Sequence, residues 1–197
     1  RLTSGLDALA RQRKVTVIHG AARFASPNEF AVEEGSATRR VSFAQCIVAA
    51  GSESVRLPGF PDDPRVIDST GALELDLPSS LLVVGGGIIG LEMATVYAAL
   101  GVAVSVVELT PGLMPGCDRD LVRPLQKRIA SRYRAILLGT RVTGVEALAD
   151  GLRVSFTGDH APEPQLFGKV LLAVGRAPNG RSIGAAAAGI HVDERGY

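Results

Sequence analysis

Leu81-Leu82-Val83-Val84-Gly85-Gly86-Gly87-Ile88-Ile89-Gly90-Leu91-Glu92 is the stretch that decides the fold. Four apolar residues of strand character run straight into G-x-G-x-x-G, and a helical pattern follows without a break. In that context the three glycines predict a dinucleotide-binding turn. Gly85 permits a tight strand-to-helix turn, Gly87 lets backbone approach a pyrophosphate, and Gly90 lets the helix pack closely on the strand. The helix N-terminus offers unpaired N–H groups and partial positive charge to phosphates.

Working outward, the helix is expected over Ile88 to Leu100, with Gly101 at its C-cap and Val102 to Val107 as the next strand. That strand ends at Glu108, at about the spacing where such folds place an acid on the adenosine ribose. A carboxylate accepts hydrogen bonds from ribose hydroxyls and repels a 2′-phosphate. The pattern therefore favours NAD over NADP. Ordinary α/β turns also carry glycines, but strand, glycines, helix, strand and acid stand here in one register.

The rest of the chain reads as more of the same class. Ser4 is expected to cap a helix to about Arg13, followed by a strand at Val15 to Ile18. Ala21 to Ala25, Glu29 to Glu33 and Arg39 to Phe43 alternate with turn residues and predict an antiparallel meander. Ala44 to Ala50 is a continuous apolar run, read as a strand buried on both faces of a parallel sheet. The segment Leu57 to Pro64, dense in proline, reads as a stiff linker or domain crossover. A short helix is expected at Ser69 to Leu75, and a second long one from a cap at Asp118 to Ser131, with Pro124 in its early turns. Ala135 to Leu138 and Lys169 to Val174 read as parallel strands. Arg141 to Leu148 and Leu152 to Thr157 pair across Asp150-Gly151 as a hairpin.

Composition narrows the function classes. A 197-residue chain with 46% hydrophobic residues can build a core, and a net charge of +1 gives no pull toward nucleic acid or an anionic membrane. No apolar run reaches spanning length and no leader peptide is present, so a cytoplasmic setting is the expectation. The two cysteines, Cys46 and Cys117, stand in no metal-ligand or C-x-x-C spacing. His19, His160 and His191 read as surface residues.

These residues resemble a known family. Ile47 to Ser52, Asp63 to Thr70, Gly85 to Met93, Val106-Val107-Glu108 and Val174 to Gly180 are similar to the dihydrolipoamide dehydrogenase group of the FAD-dependent pyridine nucleotide-disulfide oxidoreductases. The likeness runs the length of the chain. It implies an α/β fold, with a Rossmann-like NAD-binding domain (parallel sheet plus antiparallel β-meander) inserted in a partial FAD-binding domain. The implied division is 1–77 and 174–197 for the flavin and 78–173 for NAD. By the same resemblance, Gly85, Gly86, Gly87, Ile88, Ile89 and Gly90 cradle the NAD pyrophosphate and Glu108 holds the ribose. Glu92 and Gly175 lie toward the nicotinamide, and Val142 lies by the adenine. Ala22, Ala50, Gly51 and Ser52 pass close to FAD.

The departures from the family pattern are equally specific. Its first flavin glycine motif, its C-x-x-x-x-C disulfide, its second flavin motif and its His–Glu pair have no counterpart in this sequence. The chain starts at Arg1 without methionine and stops in a charged turn at Tyr197, so an internal fragment is expected. The parent reaction implied is oxidation of a dihydrolipoyl group by NAD through FAD and the disulfide. The parent would be a homodimer serving the lipoyl domain of a 2-oxoacid dehydrogenase complex, and the fragment would be inactive. Other NAD-linked flavoprotein reductases, a soluble transhydrogenase or a non-catalytic nucleotide-binding module are the alternatives. Without further flavin-domain strands, Val15 to Ile18 and Ile47 to Ala50 are expected to leave apolar surface exposed.

Overall fold

A computed structural model of the chain describes residues 2–197; Arg1, which opens the expected flavin domain, lies outside them. The first helix, α1 (Leu2–Gln12), has Ser4 in its first turn rather than at a cap. Three strands follow: β1 (Ala21–Ser26), β2 (Glu29–Glu34) and β3 (Ala37–Ser42), paired antiparallel in the order β1-β2-β3. Next come β4 (Ser52–Ser54), β5 (Val66–Ile67), a 3-10 turn at Gly71–Glu74, and β6 (Ser80–Val84). Helix α2 (Ile88–Ala99), β7 (Ala103–Val107), α3 (Arg119–Ala130) and β8 (Ala135–Leu137) continue the alternation. The last strands are β9 (Arg141–Leu148), β10 (Gly151–Thr157), β11 (Gln165–Phe167), β12 (Lys169–Leu172) and β13 (Arg176–Pro178). Two 3-10 turns, Asn179–Ser182 and Ala185–Ala188, close the described chain.

By compactness the chain divides into a smaller unit, Arg1–Ser52 with Pro178–Tyr197, and a larger one, Glu53–Ala177, inserted between its two segments. The larger unit is a Rossmann-like α/β layer structure. Its five-stranded sheet has the order β5-β12-β6-β7-β8, with every pairing parallel. A sheet covered on both faces calls for continuous apolar residues, and β6 supplies them from Leu81 to Val84, all four buried. Leu81 and Val83 enter one cluster with Val104, Val106, Leu171 and the α2 and α3 residues Leu91, Ala94, Tyr97, Val122 and Ile129. Leu82 and Val84 enter the other, with Val107, Val170, Leu172 and Leu152, Val154 and Phe167 of a three-stranded antiparallel sheet β11-β10-β9. Helices thus cover one face and the antiparallel sheet covers the other. The Tyr97 hydroxyl donates to the buried Ala72 carbonyl at 2.9 Å, which fastens the 3-10 turn to α2.

Local signals explain the ends of α2. Leu100 is the cap and Gly101, at φ +91°, is the residue beyond it. Val102 N–H donates to Tyr97 O and Gly101 N–H to Ala98 O, the paired bonds of a glycine-terminated helix. Asp118 does sit at the N-cap of α3 but makes no capping bond with its side chain. The β9–β10 hairpin turns at Ala149-Asp150, because Gly151 already pairs with Leu148.

Two expected strands fail for one reason, the availability of partners. Val15 to Ile18 and Ala44 to Ala50 have strand composition but form no strand, and Ile47 is 94% exposed. Among the described residues no strand lies beside them to take their backbone groups. The apolar exposure expected for both segments is therefore observed. The proline-rich segment is no free linker either: Leu57 and Phe60 pack on the larger unit's second cluster. The smaller unit's own core centres on Phe24, whose ring lies 4.5 Å from Phe30 and 6.2 Å from Phe43.

Candidate functional site

A doubly wound sheet leaves a crevice where neighbouring strands lead their connections in opposite directions. In this sheet that point lies between β6 and β12, because the chain runs from β6 through β7 to β8 on one side while β12 returns on the other. A cavity of about 940 Å³ opens there, at the carboxyl ends of the strands. Its lining includes Val84, Gly85, Gly87, Ile88 and Ile89 from β6, its turn and α2, with Val107 and Glu108 from β7. Val142 on β9 and Gly175 beyond β12 also line it.

The glycine turn is built as its spacing implied. Gly85 stands at φ +113°, and a Cβ there would come within 2.3 Å of the Ala173 carbonyl oxygen. At Gly90 a Cβ would fall 2.0 Å from Gly85 O, so the helix can rest on the strand only with glycine in that place. Gly86 is buried against Leu113 and Glu108. Gly87 differs: no protein atom lies within 4 Å of where its Cβ would be. Neither neighbours nor its φ of −82° requires glycine there, and the space beside it is open. As N-cap it also brings no side chain to the first-turn amides of α2.

Glu108 is buried, at 8% exposure, and its carboxylate is held from two sides. Gly86 N–H donates to Oε2 at 2.7 Å. Thr110 donates to Oε1 through both its backbone N–H and its hydroxyl, each at 2.8 Å. These donors keep a buried charge from being unpartnered. They also aim a fixed carboxylate at the edge of the cavity that the glycine turn lines.

The remaining predicted residues are distributed differently. Gly86, Gly90 and Glu92 are outside the lining, with Glu92 exposed on α2. Ala22, Ala50, Gly51 and Ser52 belong to the smaller unit. Gly51 there takes φ +71° in open space, and its carbonyl accepts from Asn179 N–H at 3.0 Å. The Asn179 side chain donates to Ala50 O at 3.1 Å.

The sequence reading missed Thr110, Thr140, Arg141 and the loop residues Met114, Pro115 and Cys117, all of which line the cavity. Their signal was weak because they are loop or strand-end residues of ordinary type. Arg119 organises that loop, donating to the carbonyls of Leu113, Met114 and Cys117. Met114 N–H is tied in turn to Gly86 O at 2.8 Å. Cys46 and Cys117 are free and exposed, and no His, Cys, Asp or Glu cluster suited to a metal occurs among the described residues. Nor, among those residues, is any helix long and apolar enough to cross a membrane.

Comparison with known proteins agrees with this geometry. The family model described as pyridine nucleotide-disulphide oxidoreductase matches residues 1–197. Dihydrolipoyl dehydrogenases of Vibrio parahaemolyticus and Haemophilus influenzae are 47% and 45% identical, each match covering 100% of this chain and 42% of the relative. Among solved structures, the HOCl-induced flavoprotein disulfide reductase RclA from Escherichia coli superposes with a TM-score of 0.84 at 28% identity. That match covers 98% of this chain and 43% of RclA. LpdA from Mycobacterium tuberculosis gives 0.83 at 25% identity, over 100% of this chain and 44% of its own. The chain thus spans under half the length of the proteins it matches. It belongs to the pyridine nucleotide-disulphide oxidoreductases, a family of oxidoreductases, and within them it is similar to the dihydrolipoyl dehydrogenases.

Proposed function

We propose that this chain is the NAD-binding central portion of a dihydrolipoyl dehydrogenase. The observation that carries the reading is the meeting of the Gly85–Gly87 turn, the α2 N-terminus and the fixed Glu108 carboxylate at one cavity. Gly85, Gly87, Ile88 and Ile89 would take the pyrophosphate, with Gly86 and Gly90 shaping the turn beneath it. Backbone amides and the positive end of a helix suit a doubly charged diphosphate. Glu108 would accept hydrogen bonds from the ribose, Val142 would meet the adenine, and Gly175 and Glu92 would serve the nicotinamide end. When bound, NAD supplies a hydride acceptor; the residues named here hold it and exclude a 2′-phosphate.

In this reading residues 78–173 form the NAD domain, and 1–77 with 174–197 contribute to an FAD domain. Ala22, Ala50, Gly51 and Ser52 would pass close to FAD, where small residues leave room for backbone approach. Gly51, with open space where a Cβ would stand, suits that role. The whole protein would oxidise a dihydrolipoyl group with NAD, act on the lipoyl domain of a 2-oxoacid dehydrogenase complex, and work as a cytoplasmic homodimer. Residues 1–197 hold two cysteines, at 46 and 117. They offer no C-x-x-x-x-C pair to pass electrons from a dithiol, so this chain by itself should show no turnover.

Titration of the purified chain with NADH, NADPH and FAD tests the reading. NADH should bind more tightly than NADPH, and FAD weakly. Equal or stronger binding of NADPH would overturn the NAD assignment. Dithiol-dependent NADH formation by a pure sample would overturn the expected inactivity.

A further inference from the structure

We propose that Thr110 is a specificity-determining positioning residue, whose hydroxyl holds the Glu108 carboxylate against a 2′-phosphate while leaving it able to accept a ribose hydroxyl. The inference rests on the NAD reading above and deepens it at one side chain. A glutamate has three rotatable bonds, and a mobile carboxylate can turn away from an incoming anion. Glu108 is denied that freedom. Its Oε2 is bound by Gly86 N–H, and its Oε1 by the N–H and the hydroxyl of Thr110.

The backbone around the pair is pinned as well. Glu108 N–H donates to Leu137 O at 2.8 Å, Thr140 N–H to Glu108 O at 3.0 Å, and Gly139 N–H to Thr110 O at 3.0 Å. The Thr110 hydroxyl can therefore be altered without releasing the main chain.

That hydroxyl has two acceptors for one proton. Its oxygen lies 2.8 Å from Glu108 Oε1 and also 2.8 Å from the Gly112 carbonyl oxygen. A carboxylate offers about four acceptor sites in all, and three donors already approach this one. When a ribose hydroxyl donates to Oε1, the threonine proton can turn to Gly112 O. One acceptor site on Glu108 is then vacated while the threonine keeps a hydrogen bond. A 2′-phosphate, mostly without a proton near neutral pH, has none to place there and meets a fixed negative charge instead. The hold matters because Arg141 also lines the cavity and would attract a phosphate. Discrimination then depends on whether the carboxylate stays in place.

The test is the ratio of NADH to NADPH affinity, measured by nucleotide fluorescence on residues 1–197 unaltered, as Thr110→Val and as Thr110→Ser. Valine keeps the branched shape and removes the proton; serine keeps the proton. The unaltered chain should favour NADH. Thr110→Val should lower that ratio about tenfold at an unchanged melting temperature, equivalent to about 1.4 kcal/mol. Thr110→Ser should keep it within about twofold. A purely structural effect would weaken both nucleotides together and leave the ratio alone, which overturns the proposal. Equal loss of the ratio in both variants overturns it too, since the threonine methyl would then be responsible. Failure of the unaltered chain to bind NADH at all would instead overturn the NAD reading on which the inference stands.

Discussion

Two apolar runs of similar composition have opposite fates in this molecule. Lys169–Leu172 forms β12, lying between β5 and β6, with Val170 and Leu171 fully buried. Ile47 to Ala50 has the same strand character, yet forms no strand and exposes Ile47 and Val48. The difference teaches that β-propensity describes fitness for a half-buried pleated surface rather than an intrinsic state of the backbone. β12 has a parallel neighbour on each side and a cluster on each face. Among the described residues the Ile47 run has neither. The larger unit is thus a finished core, and the smaller one carries apolar segments suited to pairing.

The strongest way to break this contrast is to open the larger unit's second cluster. Phe167 is 1% exposed and is among the bulkiest side chains between the two sheets. Phe167→Ala should cost about 3–5 kcal/mol, read as a lowered urea midpoint. An effect below about 1 kcal/mol would mean that the antiparallel sheet does not seal that face.

A smaller loss is expected from Tyr97→Phe, which keeps the ring and leaves the buried Ala72 carbonyl without its donor. About 1–3 kcal/mol should be lost in thermal melts. Burial raises the Tyr97 phenol above its usual range, so the wild-type hydroxyl should also fail to ionise where free tyrosine does.

Below these comes a pH effect at the foot of the larger unit. The Arg65 guanidinium and backbone N–H hold the Asp63 carboxyl down to about 2, well under its ordinary value. A carboxyl depressed by folding stabilises above its unfolded value, near 4, and loses that contribution as pH falls through its folded one. Asp63→Asn should therefore be less stable than wild type near neutrality, and the gap should close between about pH 4 and pH 2. A gap independent of pH would assign the effect to packing. Arg65 also donates to Leu148 O at 2.9 Å, so the pair tethers the β9 end to the segment before β5.

The smallest change in stability should come from Ile47→Lys, because the side chain is already 94% exposed. A shift within about 0.5 kcal/mol is expected, together with less self-association in light scattering. A large destabilisation would show that the segment is buried in solution, and the contrast with β12 would fail.

The geometry of the glycine turn and of the strand end beside it was legible beforehand. Gly85, Gly90 and Glu108 could be read because each answers a local or short-range demand: a turn of positive φ, a helix resting on a strand, an acid at a strand end. The three-stranded meander β1-β2-β3 was legible in the same way, its turns marked by Pro27-Asn28 and Gly35-Ser36. Thr110 and Arg141 were not legible, since their significance comes from the approach of Gly112 and of β9 to the end of β7. No sequence pattern announces a hydroxyl that lies between a carboxylate and a carbonyl.

What the sequence by itself determined was the strand–glycine turn–helix unit, the α/β class and the acid that follows β7. These rest on backbone sterics and hydrophobic periodicity, which act over a few residues. Only the tertiary structure decided which apolar runs became strands and how the Glu108 carboxylate is held. Both depend on partners distant along the chain. An unpaired amide or a buried charge takes its place from whichever group folding brings beside it.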